Sequence, residues 1–222
     1  MSSYSLESYA QEGEDILLKR LFEYRKISDG GFYIDVGAHH PQRFSNTYYF
    51  YKRRWRGINI DATPDSMKLF EELRDGDINL ELAVSDEQKT LTYYMFNEPA
   101  LNSFDEELSL KRGLIKHYNI IDTKQIQTVR LDDILDEYLP KKQEIDFLSI
   151  DVEGFDVRVL KSNNWDKYRP KVVLIEVLSQ DIESMISSEV YSYMKNLNYV
   201  YYAKTVGTHF FVDREFYKVF LI

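Results

Sequence analysis

The run Gly31-Phe-Tyr-Ile-Asp-Val-Gly-Ala-His-His40 constrains the chain most. Its β-branched and aromatic residues predict a buried strand, and Gly37-Ala38 breaks that strand into a tight turn where backbone must pass close to a ligand. A second run, Gly57-Ile-Asn-Ile-Asp61, follows at nearly the interval of a strand-helix-strand unit, and it too ends in a carboxylate. A first turn built to hold a pyrophosphate would read GxGxxG. Here Gly37 is followed by Ala38, His39, His40 and Pro41, so the glycines needed for pyrophosphate approach are missing. Two acids at consecutive strand ends suit a ligand with a ribose diol and an ammonium group. The pattern points to S-adenosylmethionine rather than NAD.

The 222 residues can bury one sizeable core, and a single domain over 1–222 is expected. With no cysteine, disulfides, thiolate catalysis and cysteine-rich zinc sites are excluded. No apolar stretch reaches the length of a membrane span, and the Met-Ser-Ser-Tyr start does not read as a signal peptide. A cytoplasmic protein without membrane insertion is therefore expected. A net charge of −9 argues against nucleic acid as the partner, since phosphate neutralisation needs a basic surface.

Ile16, Leu17, Leu21 and Phe22 are spaced for an amphipathic helix over Tyr9 to Tyr24, within an N-terminal helical extension of about 5–28 that Ser28-Asp-Gly-Gly31 stops. Helices are expected at Asn46 to Trp55, Pro64 to Leu73 and Phe155 to Leu160. Strands are expected at Ile78 to Val84, Thr90 to Phe96, Ile145 to Asp151 and Val172 to Val177. Gln125 to Leu135 reads as a short strand entering a helical turn. Tyr199 to Ala203 and His209 to Asp213 read as an antiparallel pair. Asn97 to Lys124 is polar and weakly periodic, which predicts an inserted lid where substrate selection resides, with Asn102 and Ser103 as candidate substrate contacts. The fold class is α/β: a Rossmann-like, three-layer, mostly parallel sheet with an antiparallel terminal strand. Ligands bind such sheets outside the carboxyl ends of the parallel strands, where Asp35, Asp61, Asp86, Asp151 and Glu176 would gather.

Gln11-Glu-Gly-Glu-Asp-Ile16, Phe32-Tyr-Ile-Asp-Val-Gly-Ala38, Phe44-Ser-Asn-Thr47, Ala83-Val-Ser-Asp86 and Ile145-Asp-Phe-Leu-Ser-Ile-Asp-Val-Glu-Gly154 stand in an order that resembles the FkbM family of class I S-adenosylmethionine-dependent methyltransferases. The resemblance covers almost the whole chain. It implies O-methylation, commonly of sugars in surface polysaccharides such as capsule, in glycolipids or in polyketide-type products. Asp61 stands where many class I enzymes have Glu. An amine, phosphoramidate or small-metabolite acceptor is the alternative, and a non-catalytic cofactor-binding partner in glycan assembly is a rival of another class.

Asp35 and Gly37, with Ala38, are expected at the methionine amino group; the competing reading of Asp35 is a helix cap. Asp61, with Ala62, is expected at the ribose hydroxyls, and Ser85 and Asp86 at the adenine edge. Asp151 and Glu153 are the candidates for the chemistry, because a sugar hydroxyl must lose its proton as the methyl moves. They could instead hold a cation, for which hard oxygen ligands favour magnesium. A lone Asp-x-Glu pair lacks a third protein ligand, so the metal-free scheme is favoured. His209 and His40 are candidate bases, with unperturbed proton affinities near neutrality. His39, Arg43 and Asn46 are candidate substrate contacts. Arg43, Lys52, Arg53, Arg54 and Arg56 form a basic cluster interleaved with Tyr48 to Tyr51 and Trp55, which would suit a nucleotide-activated sugar.

Overall fold

The computed structural model describes residues 4–24, 30–177 and 181–218. Helix α1 (Glu14–Tyr24) leads into β1 (Phe32–Val36), the short α2 (Tyr48–Tyr51), β2 (Arg56–Asp61), α3 (Met67–Leu73) and β3 (Ile78–Glu81). Then come β4 (Ala83–Val84), β5 (Thr90–Phe96), a 3-10 turn at Pro99–Leu101, α4 (Glu106–Arg112), β6 (Ile120–Val129) and α5 (Leu131–Tyr138). Alternation resumes with β7 (Phe147–Ile150), α6 (Asp156–Lys161), β8 (Val172–Glu176), α7 (Ile182–Ile186) and α8 (Glu189–Asn196). The chain closes on β9 (Tyr199–Lys204), β10 (Thr208–Asp213) and α9 (Arg214–Tyr217).

Seven strands make one sheet in the order β3-β2-β1-β7-β8-β10-β9. β1 runs parallel to β2 and β7, and β7 parallel to β8, whereas β10 is antiparallel to both β8 and β9. The chain steps outward from β1 to β3 and then returns to lay β7 on the other side of β1. That reversal opens a crevice at the carboxyl ends of β1 and β7, where ligands bind in sheets of this kind.

Side chains of a strand alternate between the two faces. Ile34, Val36, Leu148, Ile150, Val173 and Ile175 enter one core with Leu131 and Ile134 of α5 and Val159 and Leu160 of α6. Tyr33, Phe147, Val172, Leu174 and Phe210 enter the other, with Leu18, Leu21 and Phe22 of α1 and Tyr49 and Phe50 of α2. These are three layers, helices on both faces of the sheet. Burial of each such side chain contributes roughly 1.5–3 kcal/mol. On the second face Phe22, Phe50, Trp55 and Phe147 pack as an aromatic knot, with Phe50 and Trp55 centroids 4.7 Å apart.

Several elements differ from the pattern expected of the sequence. α1 begins at Glu14 rather than Tyr9, because the Asp15 carboxylate accepts from the Ser8 hydroxyl and the Tyr9 amide and folds residues 8–13 back as a loop. The predicted stop at Ser28-Asp29 and the 25–28 part of the N-terminal extension lie outside the described residues, as do residues 1–3 of the start. The predicted Asn46 to Trp55 helix shrinks to Tyr48–Tyr51 and ends in a turn with Arg54 at φ 66°. α3 starts at Met67 and not Pro64, since Asp65 sits at φ 67°. The Ile78 to Val84 strand splits: β3 stays in the main sheet while β4 joins β6 and β5 in a separate three-stranded sheet. The 97–124 segment is not irregular. It holds the 3-10 turn, α4 and the first residues of β6, which is ten residues long.

Candidate active site

A cavity of about 490 Å³ opens over the carboxyl ends of β2, β1, β7 and β8, large enough for a cofactor-sized ligand. Gly37, Asp61, Ala62, Leu82, Val84 and Val152 line the side towards β2 and β4. Glu176 at the end of β8, Gly207 and Thr208 at the β9–β10 turn, and Gln11, Glu12 and Glu14 line the opposite side. Glu12 accepts from the Gly207 amide at 3.1 Å and Glu14 from the Thr205 hydroxyl at 2.6 Å, so the N-terminal segment is fastened to that turn.

The segment between β5 and β6 covers the cavity with Glu98, Asn102, Phe104, Arg112 and Tyr118. α4 forms because Asp105 caps it, accepting from the Leu108 amide, and because acids at its start and bases at its end suit the helix dipole. Its last residue, Arg112, forms an ion pair with Glu153 in the turn after β7. Arg43 pairs with Glu98 across the cavity mouth at 3.2 Å. The covering segment is thus held to the sheet by two ion pairs.

Gly37 adopts φ 83°, and a Cβ there would land on the Asp151 carbonyl. The glycine is needed for close approach of the β1 turn to the β7 exit, and it also lines the cavity. Asp61 lines the cavity and is only 8% exposed. Its two oxygens accept from the His39 amide at 2.8 Å and the Thr63 amide at 2.7 Å. This organises the turn and leaves further lone pairs for a ligand.

Some candidates are not on the wall. Asp35 points to the α1 face with Tyr33; its carboxylate accepts from Thr47 at 3.0 Å, and burial pushes it up to about 6 against the pull of Thr47, Arg74 and Ser149. It does not line the cavity. Ala38 packs on Met67 and Phe70 instead of lining the cavity. Ser85 is buried with its hydroxyl on Asp86, Asp86 pairs with Arg158 at 3.3 Å, and neither lines the cavity. Ser103 is likewise buried, donating to the Glu153 carbonyl at 2.6 Å, and it holds the cover rather than a substrate. Asn102 does line the cavity, with its amide on Thr63 and its carbonyl on the Phe96 amide. Asn46 lines it too and donates to Ser149 at 3.1 Å.

The histidines separate. His39 lines the cavity, and its Nε2 finds no partner among the described residues. His40 does not line it: its Nδ1 accepts from the Gln42 and Arg43 amides at 3.0 Å and builds the turn. Burial lowers the proton affinity of both. His209 is fully buried on the face of Phe211, with Nδ1 against the Tyr201 hydroxyl at 2.9 Å, while its neighbour Thr208 reaches the cavity. It is not placed to act as a base.

Burial brings His209 down to about 4, well below an ordinary imidazole. As pH falls the unfolded chain therefore takes up this proton first. The stability His209 provides is complete above about pH 6.5 and is lost towards the folded value, on the order of 2–3 kcal/mol. Urea unfolding of wild type and His209→Asn at pH 7 and 4.5 checks this: wild type should lose more stability on acidification than the variant, and parallel losses would contradict it.

The basic cluster also disperses. Arg53 stacks on Tyr49, Arg56 on Tyr51, and Lys52 is tied to Glu7 and Tyr9. Of the cluster only Arg43 lines the cavity. Tyr49, Phe50 and Trp55 are core.

Asp151, Glu153 and a third carboxylate, Glu176, line the cavity together, with one oxygen of each within 4.8 Å of the other two. Asp151 is open to the cavity but otherwise walled in by protein. Burial, then the nearby Glu176 and Glu153, raise its carboxyl well above the usual range. Burial and the neighbouring Glu153 and Asp156 push Glu176 up to about 8. Glu153 is raised by burial and held back by Arg112. Glu176 supplies the third protein ligand that the Asp-x-Glu pair lacks in sequence, so the three carboxylates could hold a cation; the guanidinium paired with Glu153 competes with it there. Glu176 is one of the five strand-end acids expected at this edge, but its meeting with Asp151 has no local sequence signal, and Arg112 reads only as a helix-end base.

A parallel sheet with a topological switch, a glycine turn after β1, an acid at the end of β2 and carboxylates after β7 form one coherent cavity. The family model for the methyltransferase FkbM domain matches residues 35–201, from the carboxylate of β1 into β9 and so across every one of these features. No curated protein matches the chain. The chain belongs to the FkbM methyltransferase family.

Proposed function

We propose that the chain transfers a methyl group from S-adenosylmethionine to a hydroxyl of a carbohydrate. The observation that carries this reading is the cavity itself, which runs from Asp61 past Gly37 to the carboxylates of Asp151 and Glu176. The ribose hydroxyls would donate to Asp61, and Leu82, Val84 and Val152 offer an apolar wall to the adenine. The sulfonium would lie between the Gly37 turn and Asp151, with its methyl towards β8. The acceptor would enter between Asn46, Gln11 and Thr208, in a cavity that Phe44 and Tyr118 also line. Hydrogen-bonding groups and aromatic rings in one cavity suit a sugar.

In the reaction an acceptor oxygen lone pair forms the bond to the methyl carbon, and the electrons of the breaking carbon–sulfur bond stay on sulfur. The hydroxyl proton passes to a carboxylate. Much of the rate would come from holding the two substrates in line. Carboxylates outnumber guanidinium groups on the wall, and Lys52 to Arg56 lie away from it. This supports an uncharged sugar over a nucleotide-linked one. An amine-bearing acceptor is the second reading, favoured by the same excess of carboxylates.

The test uses purified protein, deuteromethyl-labelled S-adenosylmethionine and the glycan fraction of cells that lack the gene. Mass spectrometry should find labelled methyl ethers on sugar. Label on nitrogen would select the second reading, and no label would remove the carbohydrate proposal.

A further inference from the structure

Glu176 lines the cavity at the end of β8, the strand beside β7, and one of its carboxylate oxygens lies within 4.8 Å of one of Asp151. Glu176 Oε2 is buried without a hydrogen-bond partner among the described residues. Two carboxylates so close cannot both be ionised without a cation to offset them. Among the described residues the cation that reaches them is Arg112 of α4, which pairs with Glu153 and also acts on Glu176, so one guanidinium faces three carboxylates. Asp35 of β1 and Asp156 of α6 are acidic, Glu153 is taken up by Arg112 of α4, and Glu12 and Glu14 are spent on Gly207 and Thr205. Lys204 of β9 turns to the Val206 carbonyl.

We propose that Asp151 and Glu176 hold one proton between them in the empty site, and that the arriving sulfonium cation expels it, so that the pair becomes a proton acceptor only when the methyl donor is in place. The proposal rests on the cofactor reading above and adds Glu176 to the catalytic group. The expelled proton goes to solvent, and the acceptor hydroxyl then gives its own proton to the emptied pair as its oxygen bonds to the methyl carbon. Once the methyl has left, the neutral thioether no longer opposes that proton, and the pair keeps it until product leaves. The device suppresses proton abstraction when there is no methyl to transfer.

Calorimetric titration separates this proposal from the reading it rests on, and it needs no acceptor. S-adenosylmethionine and its demethylated product, S-adenosylhomocysteine, are titrated at about pH 6.5 into the purified chain in two buffers of different ionisation heat. The sulfonium ligand should release close to one proton per site and the thioether close to none. Glu176→Gln, and independently Asp151→Asn, should bring the two ligands to within about a quarter of a proton of each other. Product affinity within a few-fold of wild type shows that the variant site is intact. Equal proton release by both ligands in wild type overturns the proposal and leaves the cofactor reading standing. A difference that survives both substitutions places the proton elsewhere and overturns it as well. Binding of neither ligand would end both the proposal and the cofactor reading.

Discussion

Gly37→Ala should cost the fold at least about 3 kcal/mol. The left-handed conformation alone costs an L-residue about 1–2 kcal/mol, and Gly37 sits at φ 83°. The larger part is steric: the new methyl would meet the Asp151 carbonyl, which is backbone and has no rotamer to escape into. The Gly37 and Ala38 amides are both bonded to the Ile60 carbonyl, at 2.9 and 3.1 Å, so the turn cannot move without releasing β2. Denaturant unfolding would register the loss as a fall in midpoint with little change in slope. A change below about 1 kcal/mol would mean that the β1 turn and the β7 exit are not locked together as described.

Asp151→Asn should lower methyl transfer by roughly a hundred- to ten-thousand-fold, the range for removal of a general base. The amide is nearly the same size, so the cavity keeps its shape while losing the carboxylate that faces it. Cofactor affinity should fall far less than turnover, since Asp61 and the Gly37 turn remain. The readout is transfer of labelled methyl to the glycan fraction, measured alongside binding of S-adenosylhomocysteine. Turnover within a factor of a few of wild type would exclude Asp151 as proton acceptor. Chelator should leave wild-type turnover unchanged, because Arg112 competes with a cation at Glu153. Loss on chelation, restored by magnesium, would replace the base by a metal.

The main sheet was legible because its strands are buried on both faces and read as unbroken β-branched and aromatic runs ending in acids. What local pattern could not supply was the side of the sheet each acid faces. Asp35 alternates with Ile34 and Val36, which enter the α5–α6 core, so its carboxylate turns to the opposite face and to Thr47. His209 has the same history: the edge was right, but alternation sends it to the face of Phe211 and leaves Thr208 at the cavity. Glu176 was visible as one strand-end acid among five, yet its meeting with Asp151 depends on β8 lying beside β7, a fact of topology. The sequence carries end signals for α4 inside the segment expected to be a weakly periodic lid. Asp105 as cap, Glu106 and Glu107 at the start and Lys111 and Arg112 at the end mark a helix, but its weak apolar stripe hid it among polar neighbours. The basic cluster misled because arginines that stack on Tyr49 and Tyr51 look, in sequence, like arginines awaiting a phosphate.

The cofactor site is tested most directly by equilibrium binding of S-adenosylmethionine and NAD to wild type and Asp61→Ala. S-adenosylmethionine should bind one per chain and NAD should not. Asp61→Ala should weaken binding by about 1–3 kcal/mol, some five- to 150-fold, through the ribose hydroxyls left unsatisfied and the His39 and Thr63 amides released from the turn. Absence of S-adenosylmethionine binding to wild type, or equal affinity in the variant, would contradict the account.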